Sequence, residues 1–304
     1  MQYMKKRLSA LSLLLAGIFS TSCLSEDYSD CYRTYKLMLS YKGDGKQEIF
    51  QEKIDRVEMY VFDEEQACVS SSVLPDGDVA ARSTMLPDLK PGNYRIICVG
   101  NTHETGLENL DSRDYSKILF AADSYLAGQT VSGNDSLYYA SVNCTVAAFD
   151  PMVSEETVTA EFASSHYDIL VELVNVPEWA GNPRIELVGV SPATDFENIA
   201  KGQPADYVMN AVNHGKGYIT AENNIMRHSN HDEVYLKVTG EDGRSMALVN
   251  FGEHLEKNKD YIDPTLNECL IPFRLEWDPT VSTEVVIGLP VWIVENVTPD
   301  FHKR

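Results

Sequence analysis

Short runs of apolar and β-branched residues alternate with clusters of turn residues along most of this chain. In the first half, the pattern predicts strands over residues 35–41, 57–62, 94–99, 137–146 and 158–162. In the second half, it predicts strands over residues 168–174, 184–190, 234–238, 246–251, 270–277 and 285–297. Residues 107–126 have mixed helical character. We therefore predict an all-β protein with a few short helices.

Many short strands separated by turns favour β-sandwiches over the strand and helix alternation of a parallel sheet. A glycine-rich turn at residues 240–243 is a good hairpin signal between two of the strands. We predict two β-sandwich domains in tandem, over residues 35–153 and 154–304. Their border is placed where Pro151 and the acidic pair Glu155 and Glu156 interrupt the apolar pattern.

The first 22 residues have the pattern of a secretory signal. Basic residues at positions 5–7 precede an apolar run over residues 8–19, which is too short to span a bilayer. Small residues follow, and then Cys23, whose thiol is placed where bacterial lipoprotein maturation attaches lipid. We predict that residues 1–22 are a lipoprotein signal peptide, that Cys23 is acylated and that residues 23–34 form a tether. The alternative is an ordinary secretory signal, because Ser20 replaces the usual leucine three residues before the cysteine.

The charge of the chain limits what it can bind. Its formal net charge is −21, and loss of the three basic leader residues leaves 22 basic and 46 acidic residues, a net charge of −24. Such a surface repels nucleic acid and anionic lipid headgroups. We therefore exclude nucleic-acid binding and expect membrane attachment through a lipid. No second apolar segment is long enough to cross a bilayer.

The cysteines do not define a metal site or a disulfide framework. If Cys23 carries the lipid, five cysteines remain, and an odd number cannot all pair with one another: Cys31, Cys68, Cys98, Cys144 and Cys269. Cys98 and Cys144 lie in predicted strands, where a free thiol acts as a small hydrophobic group. No C-x-x-C pair is present. A disulfide is possible in an oxidising compartment, but the pairing stays open.

Candidate chemistry is sparse. His228, His231 and Asp232 form the best metal-like cluster, although a solvated polar loop is the favoured interpretation because their spacing matches no known metal motif. No nucleophile elbow, P-loop or dinucleotide-binding motif occurs, so we predict no enzyme activity and no cofactor. A group of aromatic residues suggests either a sugar-stacking platform or core packing, and core packing is favoured: Tyr138, Tyr139, Trp179, Trp277 and Trp292.

Several segments together resemble a known family. They are Cys23 with the acidic tract 24–30 behind it, the strand at residues 35–41, the run 54–63, the turn 89–94 followed by Gly100 and Asn101, the aromatic segment 136–139 and the strand 167–175. In order and spacing they resemble the fimbrial-anchor lipoprotein family of Bacteroidia, over nearly the whole mature chain. The acidic tract also resembles the surface-export signal of such lipoproteins, with a simple solvated tether as an equal alternative.

The resemblance implies transthyretin-like, Greek-key sandwiches and a non-enzymatic outer-membrane lipoprotein that anchors a fimbria. Its partners would be the fimbrial shaft subunits, bound by β-strand addition, and it would take part in fibre assembly or length control. The candidate donor strand contains Val285, Val286, Ile287, Leu289, Val291, Trp292 and Ile293. The favoured alternative is an edge or core strand of the second domain itself, since Pro290 suits an edge.

The same resemblance bears on processing of the N-terminus. In polymerising subunits of this group, proteolysis after a basic residue frees a groove, whereas an anchor must keep its acylated end. Cleavage at Arg33 or Lys36 would detach the body, so we predict a mature protein that begins at Cys23. The alternative function is a surface glycan- or ligand-binding lipoprotein of a nutrient-uptake system. That function predicts exposed, coplanar aromatic side chains, whereas an anchor predicts buried tryptophans and an apolar groove or edge strand.

Overall fold

The structure is a computed structural model that describes residues 33–150, 152–153, 155–281 and 283–294. The predicted signal peptide, Cys23, the acidic tract and Cys31 lie outside the described residues, as do residues 295–304. The described part is built of β-strands with a few short helices, so the predicted all-β fold class is confirmed.

The first half contains ten strands and short helices between them. The strands are β1 Tyr35–Ser40, β2 Val57–Phe62, β3 Cys68–Val73, β4 Ser83–Met85, β5 Gly92–Gly100, β6 Thr105–Glu108, β7 Leu119–Ala122, β8 Tyr138–Val146, β9 Glu156–Glu161 and β10 Ala163–Ser164. The α-helices are Phe50–Lys53, Asp76–Ala81 and Asp123–Leu126, and a 3-10 helix spans Tyr115–Lys117. The predicted mixed stretch 107–126 therefore contains two short strands as well as helical turns.

The second half is likewise built of strands with short helices between them. Its strands are β11 His166–Val174, β12 Arg184–Val190, β13 Ala193–Asp195, β14 Ala200–Lys201, β15 Ala205–Val208, β16 Ala211–Gly215, β17 Tyr218–Met226, β18 Tyr235–Thr239, β19 Ser245–Asn250, β20 Leu270–Trp277 and β21 Val285–Gly288. The helices are Phe251–Lys257 and Val291–Val294, with 3-10 turns at Glu178–Ala180 and His231–Glu233. The single strand predicted over 285–297 was wrong over residues 289–294, because Pro290 cannot donate to a ladder and precedes a helix instead, and residues 295–297 lie outside the described residues.

The first sandwich packs a three-stranded sheet, in the order β4-β1-β9, on a five-stranded sheet in the order β10-β8-β5-β2-β3. Strand β1 has alternating buried and half-buried residues, the pattern of a strand with one face on a core. Leu37 and Leu39 enter the same apolar cluster as Val57, Val61 and Ile96 of the facing sheet. Burial of these branched side chains is the main stabilising contribution of the first half.

The border between the halves lies later than we predicted. Strand β9 runs parallel to β1, with Tyr35 opposite Glu156, and β10 pairs with β8. Both strands follow the predicted border at residues 153 and 154, yet both belong to sheets of the first half. The predicted border therefore falls between two strands of one sandwich, β8 and β9, and the change of sandwich comes between Ser164 and His166.

The second sandwich is formed by a five-stranded sheet, in the order β16-β17-β11-β20-β21, and a four-stranded sheet, in the order β15-β12-β18-β19. Strands β11 and β20 are parallel neighbours at the centre of the larger sheet. Their inward side chains, among them Val171, Phe273 and Trp277, join one large buried cluster with Leu187 and Leu236 of the smaller sheet.

A fifth sheet joins the two halves. It has the order β14-β13-β7-β6, so strands from both halves pair directly, with Ala121 opposite Ala193. Beneath it, the rings of Phe120 and Phe196 stack with centroids 4.7 Å apart. Tyr60 meets the ring of Phe196 edge-on at 5.2 Å. The halves therefore share an aromatic core as well as a sheet.

A second contact between the two halves, away from the fifth sheet, is made by polar groups. The carboxylate of Asp44, in the first half, accepts hydrogen bonds from the backbone N–H of Asn267 at 2.8 Å and of Glu268 at 2.9 Å. Arg227 holds the same loop from the other side by donating to the carbonyl oxygens of Pro264 at 3.0 Å and Asn267 at 2.7 Å. Because the Asp44 carboxylate and the Arg227 guanidinium are charged, these hydrogen bonds are stronger than those between neutral groups.

We expect Phe196→Ala to lower the free energy of unfolding by about 3–5 kcal/mol, because it removes a fully buried ring from the shared core. Both halves should lose stability together in urea, since the cavity opens between them. Ile199→Ala is the matched control, because Ile199 is exposed nearby and its loss should change the midpoint little. Separate transitions for the two halves in the unmodified protein would contradict a shared core.

Candidate anchoring and assembly sites

The strand that follows the predicted tether is held inside the first sandwich. Strand β1 is the middle strand of its sheet, hydrogen-bonded to β4 on one side and to β9 on the other. Tyr35 is buried at its start, and its hydroxyl donates to the carbonyl oxygen of Thr145 at 3.1 Å and accepts from the N–H of Ala147 at 3.2 Å. Removing this strand would open the core.

The two basic residues that we considered as processing sites are engaged in this arrangement. Arg33 has a side chain only 13% exposed, forms an ion pair with Glu156 and approaches Asp150 with 3.7 Å between Nη2 and Oδ2. Lys36 lies within β1, opposite Met85. A protease needs an extended, accessible segment, which a paired central strand does not provide. The structure thus favours retention of the strand.

The candidate donor residues fall into three groups. Val285, Val286 and Ile287 form the edge strand β21, which pairs antiparallel with residues 274–277 of β20. Leu289 is buried in the core of the second sandwich. Val291, Trp292 and Ile293 belong to the short helix Val291–Val294. The edge-strand alternative thus describes the first group, whereas the helix Val291–Val294 lies outside the sheets.

The short helix rests on a charged cluster that the sequence pattern did not reveal. The indole Nε1 of Trp292 donates to the carboxylate of Glu172, 3.5 Å away. Glu172 is buried on β11 and also accepts from Arg274 of β20 at 3.3 Å. A charged residue, Glu172, inside the otherwise apolar run 169–174 was the available signal for a partner across the sheet.

The edge of β20 that β21 leaves uncovered is closed by a helix. His254, on the helix Phe251–Lys257, donates from Nε2 to the carbonyl oxygen of Pro272 at 2.9 Å and stacks on Phe273 with centroids 4.1 Å apart. Lys257 reaches the carbonyl oxygen of Ile287 at 3.4 Å. Capping of this kind prevents pairing with foreign strands.

The predicted polar loop is only partly solvated, because His228 is buried, whereas His231 is half-buried and Asp232 is exposed. His228 is 7% exposed, and neither of its ring nitrogens has a hydrogen-bond partner. Its ring lies 5.0 Å from that of His231 and 5.9 Å from that of Phe251, measured between centroids. Asp232 is the remaining metal candidate, and its carboxylate lies against Gly252. In the described part of the chain, no three His, Cys, Asp or Glu side chains are grouped to hold a metal ion.

The aromatic residues do not form a shared platform. Tyr138 and Trp277 are buried, and the hydroxyl of Tyr139 donates to the carbonyl oxygen of Phe196 at 2.7 Å. Trp179 is half-buried beneath the guanidinium of Arg244, which lies 4.0 Å from the ring centroid. These positions suit packing and cation–π contact more than sugar stacking.

The described cysteines are free thiols. Cys98, Cys144 and Cys269 are buried, and Cys68 is half-buried. Burial raises the pKa of Cys98 to about 12 and that of Cys269 to about 11. At neutral pH these thiols stay protonated and act as small apolar groups.

Comparison with known proteins identifies the family. A family model described as "Mfa2: Fimbrillin-A associated anchor proteins Mfa1 and Mfa2" matches residues 28–298. The chain belongs to this family. The region matched by this anchor family includes both sandwiches and the joint between them.

Individual relatives agree with the family. The major fimbrium anchoring subunit FimB of Porphyromonas gingivalis is 26% identical over 201 residues, which cover 65% of this chain and 63% of FimB. The match thus spans less than two thirds of the length of that curated relative. No helix in the described ranges is long and apolar enough to cross a membrane.

Two solved structures share the fold. The fimbrial anchor protein Mfa2 from Porphyromonas gingivalis superposes with a TM-score of 0.64 at 16% identity, covering 84% of this chain and 95% of Mfa2. A candidate adhesin from Bacteroides ovatus has a TM-score of 0.69 at 14% identity, covering 86% and 94% of the two chains. The β-sandwich architecture is therefore one that anchor and adhesin proteins use.

The burial of His228 beside His231 predicts a loss of stability in acid. Burial and the neighbouring His231 lower the pKa of His228 to about 4, from the ordinary value of 6.5. Between pH 6.5 and pH 4, His228 is therefore protonated in the unfolded chain but neutral in the folded chain. Its contribution to the free energy of unfolding is fully present above pH 6.5 and is lost as the pH falls towards 4. The loss from His228 amounts to about 3 kcal/mol at most.

Urea unfolding at pH 7 and pH 4.5 measures this loss. We expect His228→Leu to lose less stability over that range than the unmodified protein, while burial of His231 and His254, which also lowers their pKa values, leaves part of the effect. His214→Leu is the control, because His214 is exposed on β16. An unchanged pH dependence in His228→Leu would contradict the assignment.

Proposed function

We propose that this protein is a non-enzymatic outer-membrane lipoprotein that anchors a fimbria to the cell surface. The lipid would be attached at Cys23, and the partners would be the fimbrial shaft subunits. One observation carries the proposal: strand β1, which begins twelve residues after Cys23 and is the first strand of the described chain, is the central strand of a sheet and not a removable edge. A lipid on Cys23 is thereby joined to the hydrophobic core.

Retention of β1 is what distinguishes an anchor from a polymerising subunit. A subunit that loses its first strand offers a groove to the next subunit, but it also loses any lipid carried on that strand. In this protein the side chains of Tyr35, Leu37 and Leu39 on β1 are buried in the core, where loss of the first strand would leave such a groove. Together with membership of a family of anchor proteins, this supports a base position in which the first sandwich accepts no foreign strand at β1.

The contact with the fibre is assigned to the C-terminal segment. Strand β21 and Leu289 are part of the second sandwich, so they are poor candidates for release. The helix Val291–Val294 lies outside the sheets and has two exposed valines, with Trp292 donating to Glu172 and Ile293 packed against the second core. We infer that this helix leaves its position and that residues 291–304 pair with a shaft subunit, which would limit the fibre to one attachment per anchor.

We expect Cys23→Ala to leave the protein folded while moving it from the membrane fraction to the soluble fraction. The fibre should be released with it, because the lipid is the proposed link to the membrane. Cell fractionation followed by immunoblotting measures both proteins. Cys31→Ala is the matched control, since it removes a thiol eight residues later and should leave the distribution unchanged.

Two results would contradict the lipid anchor. One is a Cys23→Ala protein that stays with the membrane. The other is an intact mass of the membrane-extracted protein that corresponds to a chain beginning after Arg33, because such a chain has lost the acylated residue. The expected mass is that of a chain from Cys23 to Arg304 with attached acyl groups.

A shortened chain tests the assembly contact. We expect deletion of residues 291–304 to leave the thermal midpoint within a few degrees, since β21 and Leu289 remain, but to abolish co-purification of the major fimbrial subunit from the cell surface. Trp292→Phe is the companion variant, because it keeps an aromatic ring while removing the hydrogen bond to Glu172, and it should retain co-purification. A truncated protein that still captures the fibre would contradict C-terminal donation.

A further inference from the structure

Exposed apolar side chains are concentrated at one end of the first sandwich. Met152 is 91% exposed, Met85 is 44% exposed and Val153 is 36% exposed. The other large exposed apolar residues of the first half are Val69 and Val73, on the edge strand β3. Isolated exposed apolar residues are normal, so the position of the first three matters more than their number.

Backbone pairing places these residues beside the start of β1. Met85 is opposite Lys36, and the loop that carries Met152 and Val153 leads into Glu156, which is opposite Tyr35. We call Met85, Met152 and Val153 the tether-end surface. All three lie at the end of the sandwich where the chain arrives from Cys23.

An ion-pair group fixes the loop at this end. Arg33 pairs with Glu156 and approaches Asp150, and the backbone N–H of Glu156 donates to the carbonyl oxygen of Thr34 at 3.1 Å. The guanidinium offsets charge on the two carboxylates next to the exposed methionine. The group of Arg33, Asp150 and Glu156 has a formal net charge of −1, which is small beside the net charge of −24 that the chain has after loss of the leader.

The tether limits how far this end can be from a membrane. Nine residues separate Cys23 from Arg33, so the connection spans at most about 35 Å. Strand β1 adds about 20 Å between the two ends of the sandwich. With a lipid on Cys23, the tether-end surface is the part of the body closest to the bilayer.

From this geometry we propose that the tether-end surface rests on the lipid surface, with the Met152 side chain in the interfacial region. The inference rests on the proposed lipid at Cys23 and adds an orientation to it. Membrane attachment through a single acyl chain is weak and is strengthened by a second contact with the membrane. The unbranched side chain of methionine adapts to an irregular apolar surface. The body is then held in a preferred orientation instead of turning freely on its tether.

Site-directed fluorescence tests the contact. A polarity-sensitive fluorophore is attached to Met152→Cys in a Cys31→Ala, Cys68→Ala background, where the remaining described cysteines are buried. The lipidated protein is incorporated into vesicles of phosphatidylethanolamine and phosphatidylglycerol that contain a doxyl-labelled phospholipid. The control label is placed at Leu248→Cys, a 61% exposed position on the second sandwich.

We expect blue-shifted emission and strong quenching by the doxyl lipid at position 152, and neither change at position 248. If the protein sediments with the vesicles but the label at position 152 behaves like that at position 248, the proposed membrane contact of the tether-end surface is contradicted, whereas the proposed lipid anchor is not. If the protein fails to sediment with the vesicles, both the anchor and the contact that depends on it are wrong.

Discussion

The parallel pairing of β1 with β9 is the interaction on which the rest of this protein depends. It places the first described strand in the middle of a sheet and requires the chain to return after β8 before the first core can close. Such long-range pairing is entropically costly to form, and it is stabilised here by Leu37, Leu39 and the side chains that face them. The same pairing holds the start of β1, so a lipid on Cys23, as proposed, would be connected through the chain directly to the first core.

Much of the fold could be predicted from local pattern. The alternation of Tyr35, Leu37 and Leu39 identified β1, and similar periodicity identified the strands on both sides of each sandwich. The border could not be read in the same way, because Pro151 breaks the pattern just as strongly within a sandwich as it would between two. The stacking of Phe120 on Phe196 was also beyond local pattern, since the two rings come from distant segments whose own sequences give no sign of each other.

The candidate sites show the same division. Cys23 carries a local signal, the leader before it, and could be named from sequence. Glu172 could not be assigned a role, because its meaning depends on Arg274 and Trp292, which reach it from β20 and from the helix after β21. The histidine segment was misjudged for a related reason: its polar composition suggested solvent, whereas Tyr167 and Phe251 surround His228 in the folded chain.

The direction of β1 relative to β9 also has a mechanical consequence. In the proposed anchor, force applied through the tether would pull β1 along its own axis. The pairing of six residues with β9 and of three with β4 would then be sheared together instead of being opened one pair at a time. Rupture would require many bonds to fail at once, and resistance to such loading is set by the unfolding rate more than by equilibrium stability. An anchor attached in this way would withstand drag on a long fibre without needing an unusually stable fold.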